Sequence, residues 1–108
     1  MKRFHLAIGV DDVEASVADY CKRLGAEPVV VIPGQYALWR TPQLNFSIRH
    51  IPGAAGMLRH VGWEDPDAAT LSVEHDVNGM VWERFTAEDQ AREIRANWPD
   101  TQYNPGNH

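Results

Sequence analysis

Apolar and polar residues alternate with period two over residues 3–10: Phe4, Leu6, Ile8 and Val10 take one face, and His5, Ala7 and Gly9 take the other. The pattern predicts a strand with a histidine set among small neighbours. From Val13 the period lengthens, because Val13, Val17, Tyr20, Cys21 and Leu24 recur at helical spacing, with Asp11 or Asp12 to cap the start and Gly25 to stop it. Residues 27–32 are β-branched enough for a buried strand, and the Pro33-Gly34 turn hands over to a strand across residues 35–40. After a turn at Thr41-Pro42-Gln43, Leu44, Phe46 and Ile48 alternate with Asn45, Ser47 and Arg49 through a fourth strand. The first fifty residues therefore spell β-α-β-β-β.

Residues 51–56, rich in Pro, Gly and Ala, read as a linker into a strand over residues 58–64 that repeats the histidine, apolar, glycine, apolar design at His60. Residues 64–67 break it, and residues 66–71 have room for a short helical turn at most. Strands over residues 70–74 and 80–85 are joined through Asn78-Gly79, a strong hairpin signal. A helix over residues 86–98 follows, capped by Thr86 with Asp89 at its third position and stopped by Pro99. Residues 100–108 are polar apart from Tyr103 and are expected to be loosely ordered unless they dock. The reading is one α+β domain over residues 1–108: a first βαβββ module at 3–50, an abbreviated second module at 57–98, and a tail at 99–108.

Composition narrows the classes. Over 108 residues, 44% hydrophobic and 23% charged content argues for a globular core, and a domain this small gains from association with a second copy. A net charge of −5 with no Lys/Arg cluster opposes nucleic-acid binding. The longest apolar run, Val29-Val30-Val31-Ile32, is far short of the roughly 20 residues that span a bilayer, and the N-terminus lacks a secretory apolar region, so a cytoplasmic location without membrane contact is expected. The one cysteine, Cys21, excludes an internal disulfide and reads as a packing residue on the apolar side of its helix.

The residues that can carry chemistry are His5, His60 and Glu83. Two imidazoles and a carboxylate converging from three strands form a triad with open positions, suited to non-haem Fe(II) and able to hold Mn, Ni or Zn. The alternative is that each histidine is a hydrogen-bonded structural residue. His50, His75 and His108 read as solvated. Asn45, Ser47 and Arg49 line either a binding cavity or a plain solvent face, and Trp39, sharing a strand face with Gln35 and Ala37, is the aromatic pocket candidate. Trp63 and Trp82 should point away from the proposed ligands as core or interface aromatics. No Gly-rich phosphate loop, Cys-x-x-Cys pair or nucleophile elbow is present.

The segment His5-Leu6-Ala7-Ile8-Gly9-Val10-Asp11-Asp12-Val13-Glu14-Ala15-Ser16, with Tyr20 and Leu24-Gly25-Ala26-Glu27-Pro28, resembles the opening module of the glyoxalase/bleomycin-resistance/extradiol-dioxygenase (vicinal oxygen chelate) superfamily. His60-Val61-Gly62-Trp63-Glu64 resembles the strand that opens its second module, and residues 76–83 its closing hairpin. The resemblance implies βαβββ modules curling a mixed sheet into a cup, with His5, His60 and Glu83 as ligands of a divalent metal (Fe, Ni, Mn or Zn) and Glu83 also catalytic. It further implies a small-molecule substrate with vicinal oxygens and a homodimer that completes the cup. The alternative within the family is a metal-free binding protein whose groove, lined by Trp39, Asn45, Ser47 and Arg49, sequesters an aromatic or cationic compound, or a degenerate member. Only about ten residues separate Glu64 from the closing hairpin, so the second half-cup is expected to be incomplete; the final helix after Phe85 either fills the missing helix's place or is itself the second module's helix, a register in which Glu83 is not a ligand.

Overall fold

The computed structural model describes residues 1–106 and shows seven strands and two helices in the order β1 (Arg3–Val10), α1 (Val13–Leu24), β2 (Val30–Ile32), β3 (Tyr36–Arg40), β4 (Leu44–His50), β5 (Leu58–Glu64), β6 (Ser72–His75), β7 (Val81–Phe85) and α2 (Ala87–Asn97). Both helices carry the expected caps. The Asp12 side chain accepts the Ala15 N–H at 2.9 Å, and Gly25 ends α1 in the left-handed region at φ 64°, which glycine adopts without a side-chain penalty. At the start of α2, Thr86 and Asp89 form a reciprocal capping box.

The strands form one curled mixed sheet in the order β2-β3-β4-β1-β5-β7-β6, with β1 parallel to β4, β5 parallel to β7, and the remaining neighbours antiparallel. Helix α1 packs on one face, enclosing Val10, Val13, Ala37, Trp39 and Ile48. Helix α2 packs on the other, where Ala91 and Ile94 meet Tyr36, Leu38 and Tyr103. Strand β3 is thus covered on both sides, and four successive residues, Tyr36 to Trp39, are buried. Beyond β1 the α1 face carries aromatic side chains instead: Phe4 meets Trp63 and Trp82 edge-on at ring distances of 5.1 and 6.2 Å, and Trp63 is 36% exposed. Both tryptophans point away from His60 and Glu83.

Three expectations need correction. Strand β2 is only Val30–Ile32 and is not buried: it lies at the edge of the sheet with Val31 exposed, and Pro28 ahead of it has no N–H to give to a ladder. Cys21 is half-buried, and its thiol lies 3.2 Å from the exposed Glu27 carboxylate, so it packs at the edge of the α1 core and not inside it. The tail through Gly106 is docked: Tyr103 and Pro105 are buried, and Arg95 donates to the Tyr103 carbonyl at 2.8 Å. His108 lies outside the described residues. Among the described residues, no helix is long and apolar enough to cross a membrane.

Candidate metal centre and cavity

Strand register brings the three candidate residues together. His5 on β1 pairs across Gly62 on β5, and Gly62 in turn pairs with Glu83 on β7, so His5 and Glu83 flank a position without a side chain. His60, two residues before Gly62, projects from the same face. The β5 and β7 backbones approach so closely at Gly62 that a Cβ there would collide with the Glu83 carbonyl. One ligand atom from each of His5, His60 and Glu83 lies within 4.8 Å of the others. The His5 and His60 Nε2 atoms are 2.9 Å apart, and His60 Nε2 is 3.4 Å from Glu83 Oε1. Phe85 walls the group, its ring edge-on to His5 at 4.9 Å.

Hydrogen bonding sets the state of His5. Its Nδ1 lies 2.8 Å from Asn45 Oδ1 and 3.2 Å from the Asn45 carbonyl, both acceptors, so Nδ1 carries the hydrogen and Nε2 presents its lone pair to His60. The Asn45 amide is itself fixed. Its Nδ2 donates to Glu64 and to Gln90 Oε1, each at 2.8 Å, while Gln90 Nε2 donates back to Oδ1 at 3.1 Å. Glu64 is held by Arg40 and Arg3 through ion pairs of 2.7 Å each. Burial alone would raise the Glu64 carboxyl, but hydrogen bonds from Arg40 and Asn45 outweigh it and hold it below the usual carboxylate range. A buried chain of polar groups thus runs from two arginines to one imidazole.

The ionisation states suit metal ligation. Burial lowers the proton affinity of His5, and burial, then competition with His5 for a proton and the Arg59 charge, bring His60 down to about 4, so both imidazoles are neutral at pH 7. Burial and then Glu93 raise the Glu83 carboxyl, against the opposing pull of Arg59. Two bare or tautomerisable imidazole nitrogens and one carboxylate oxygen on rigid strands are a donor set that fits a first-row divalent ion.

These residues open on a cavity between the sheet and α2, lined also by Tyr36, Ser47, Arg49, Arg59, Glu93 and Trp98. Ser47 and Arg49 therefore face a cavity and not open solvent. Asn45 is fully buried and acts beneath the histidine. Trp39 is a correction: it is fully buried against α1 on the opposite face of the sheet, and its indole N–H donates to the Ala26 carbonyl at 3.1 Å. Its neighbours Tyr36 and Leu38 are the β3 residues that face the cavity side.

Arg59, Glu64 and Gln90 join the site without a motif or periodic signal that marks them in the sequence. Ala7 pairs with His60 but Ile8 pairs with Leu58, so Arg59 is the extra residue of a bulge. Strict alternation would send Arg59 and His60 to opposite faces; the bulge lets both line one cavity. Burial lowers the Arg59 proton affinity, and the Arg49 charge lowers it further. The Arg49 guanidinium lies over the Trp98 ring at 5.2 Å.

No protein-family profile matches the chain. It is similar to proteins named cadmium-induced protein CadI in Mycobacterium bovis and Mycobacterium tuberculosis, with 37% identity over 76 residues, covering 68% of this chain and 49% of each relative. The chain spans about half the length of the curated relatives it matches.

Proposed function

We propose that the chain is a glyoxalase-like member of the vicinal oxygen chelate superfamily that holds one divalent metal ion at His5, His60 and Glu83 and acts on a small molecule bearing vicinal oxygens. The observation that carries this reading is the convergence of the three donors from β1, β5 and β7 within 4.8 Å. Each site residue has a definable task. Asn45 keeps the hydrogen of His5 on Nδ1, Phe85 walls one side of His5, and Glu83 supplies both a negative donor and a group able to hold a proton beside a reacting oxygen. Bound there, Fe(II), Mn(II), Ni(II) or Zn(II) would polarise substrate oxygens. The curved sheet and the parallel β1/β4 and β5/β7 pairs support paired modules of the glyoxalase kind, the second without its helix between β5 and β6. A metal-holding role also accords with relatives named for induction by cadmium.

The test is equilibrium dialysis of metal-free protein against Mn(II) and Zn(II), with His5→Ala, His60→Ala and Glu83→Ala alongside. One ion per chain, lost in the variants, is expected. Absence of stoichiometric metal in the wild-type chain overturns the reading.

A further inference from the structure

We propose that the arginine-lined part of the cavity is an oxyanion site, in which Arg59, beside His60 on β5, and Arg49 bind a carboxylate or phosphonate group of the ligand. The assignment deepens the metal-centre reading by naming the ligand's chemical class: an organic acid whose anionic end meets the arginines while its oxygens face His5, His60 and Glu83.

Three observations carry it. First, the β-bulge at Arg59 turns that side chain onto the face that His60 occupies, where regular alternation would place it on the other face. Second, two like charges line one half-buried cavity, and neither guanidinium forms an ion pair with a carboxylate among the described residues. Gathering like charges in a recess is costly unless an anion completes it, whereas the buried Arg40 close by is ion-paired with Glu64. Third, Arg49 is oriented by its position over Trp98, so part of the cost of ordering it for a ligand is met beforehand. The planar guanidinium fork matches two oxygens of a carboxylate or phosphonate.

Three carboxylates also line the cavity, and Glu83 and Glu93 attract Arg59 through space, but among the described residues none comes within ion-pair distance of either guanidinium. Glu83 lies against His60, Asp89 is bound to the Thr86 cap and to Arg92, and Glu93 is exposed at the rim of α2. A cationic ligand, expected for a sequestering groove, would meet two guanidiniums.

Methylphosphonate and tetramethylammonium are the probes, titrated into metal-free protein and followed by amide NMR shifts, with Mn(II) binding measured in parallel on the same preparation. Saturable methylphosphonate binding is expected, weakened at least about tenfold in Arg59→Gln and in Arg49→Gln, which corresponds to about 1.4 kcal/mol. Arg59→Lys, which keeps the charge but loses the fork, should fall between, and dispersed spectra establish that each variant is folded. Equal methylphosphonate affinity in the wild-type and both Gln variants, no saturable binding to the wild-type, or preferential tetramethylammonium binding overturns the oxyanion site. Mn(II) binding without methylphosphonate binding removes this proposal alone, and methylphosphonate binding without Mn(II) removes the metal centre alone.

Discussion

His5 and Asn45 are joined by a 2.8 Å hydrogen bond whose direction is fixed from outside. Glu64 can only accept, so the Asn45 amide nitrogen must face it and the amide oxygen must face His5. Removing the amide in Asn45→Ala leaves Gln90 and Glu64 short of a buried partner. A loss of about 2–4 kcal/mol in stability is expected, with Mn(II) affinity falling roughly 10–100-fold, measured by urea unfolding and metal titration. Unchanged metal affinity in a folded variant would count against the coupling.

Glu83→Gln keeps shape and removes charge. Because the half-buried Glu83 carboxylate approaches His60 Nε2 only to 3.4 Å and has no nearer ion-pair partner among the described residues, stability should change by less than about 1 kcal/mol while stoichiometric metal binding is lost. Thermal melting and dialysis read the two effects separately.

Gly62→Ala should do the reverse of a surface change. The added Cβ would meet the Glu83 backbone, which cannot swing aside as a side chain can. We expect a loss of about 3 kcal/mol or more, as for other overpacked positions, and weaker metal binding because β7 carries Glu83 away. A melt matching the wild-type would show that the two strands are free to separate.

The metal-free protein should lose stability as pH falls through a window set by His60. Its folded value of about 4 lies below the ordinary 6.5, so the unfolded chain takes up the proton first. The stabilisation is present in full above pH 6.5 and is lost as pH drops toward 4, on the order of 1–3 kcal/mol; His5 acts in the same direction. Glu64 adds its loss lower, below the usual carboxylate range. Urea midpoints at pH 7.5, 5.5 and 4.5 for wild-type and His60→Gln isolate the His60 contribution: the variant should show a shallower slope between 6.5 and 4.5.

Tyr103→Ser removes a buried ring from the core that holds Tyr36, Leu38, Ala91 and Ile94. A cost of about 2–4 kcal/mol is expected, with faster amide exchange in α2 than in α1.

The alternation of Leu44, Phe46 and Ile48 with Asn45, Ser47 and Arg49 was legible because β4 is amphipathic, and it assigned the two faces as the structure shows them. Strand β3 offered no such contrast. With a helix on each side, Tyr36 to Trp39 are all buried, and nothing in the run says which parity faces the cavity. Its cross-strand partner would have helped: Trp39 pairs with Phe46, which belongs to the apolar set. Arg59 was hidden for a different reason, since a bulge is a property of two strands and one strand's pattern does not encode it. The convergence of His5, His60 and Glu83 rested on likeness of motif, because spacing along the chain says nothing of the register that aligns His5, Gly62 and Glu83.

Trp98, at the far end of α2, lies in the cavity wall with its indole over Tyr36 at 4.9 Å and under Arg49 at 5.2 Å. Arg49 is thus shared between an indole and whatever occupies the recess. That placement gives the protein an internal optical gauge, since drawing the guanidinium toward a ligand alters the charge above the ring and with it the Trp98 emission.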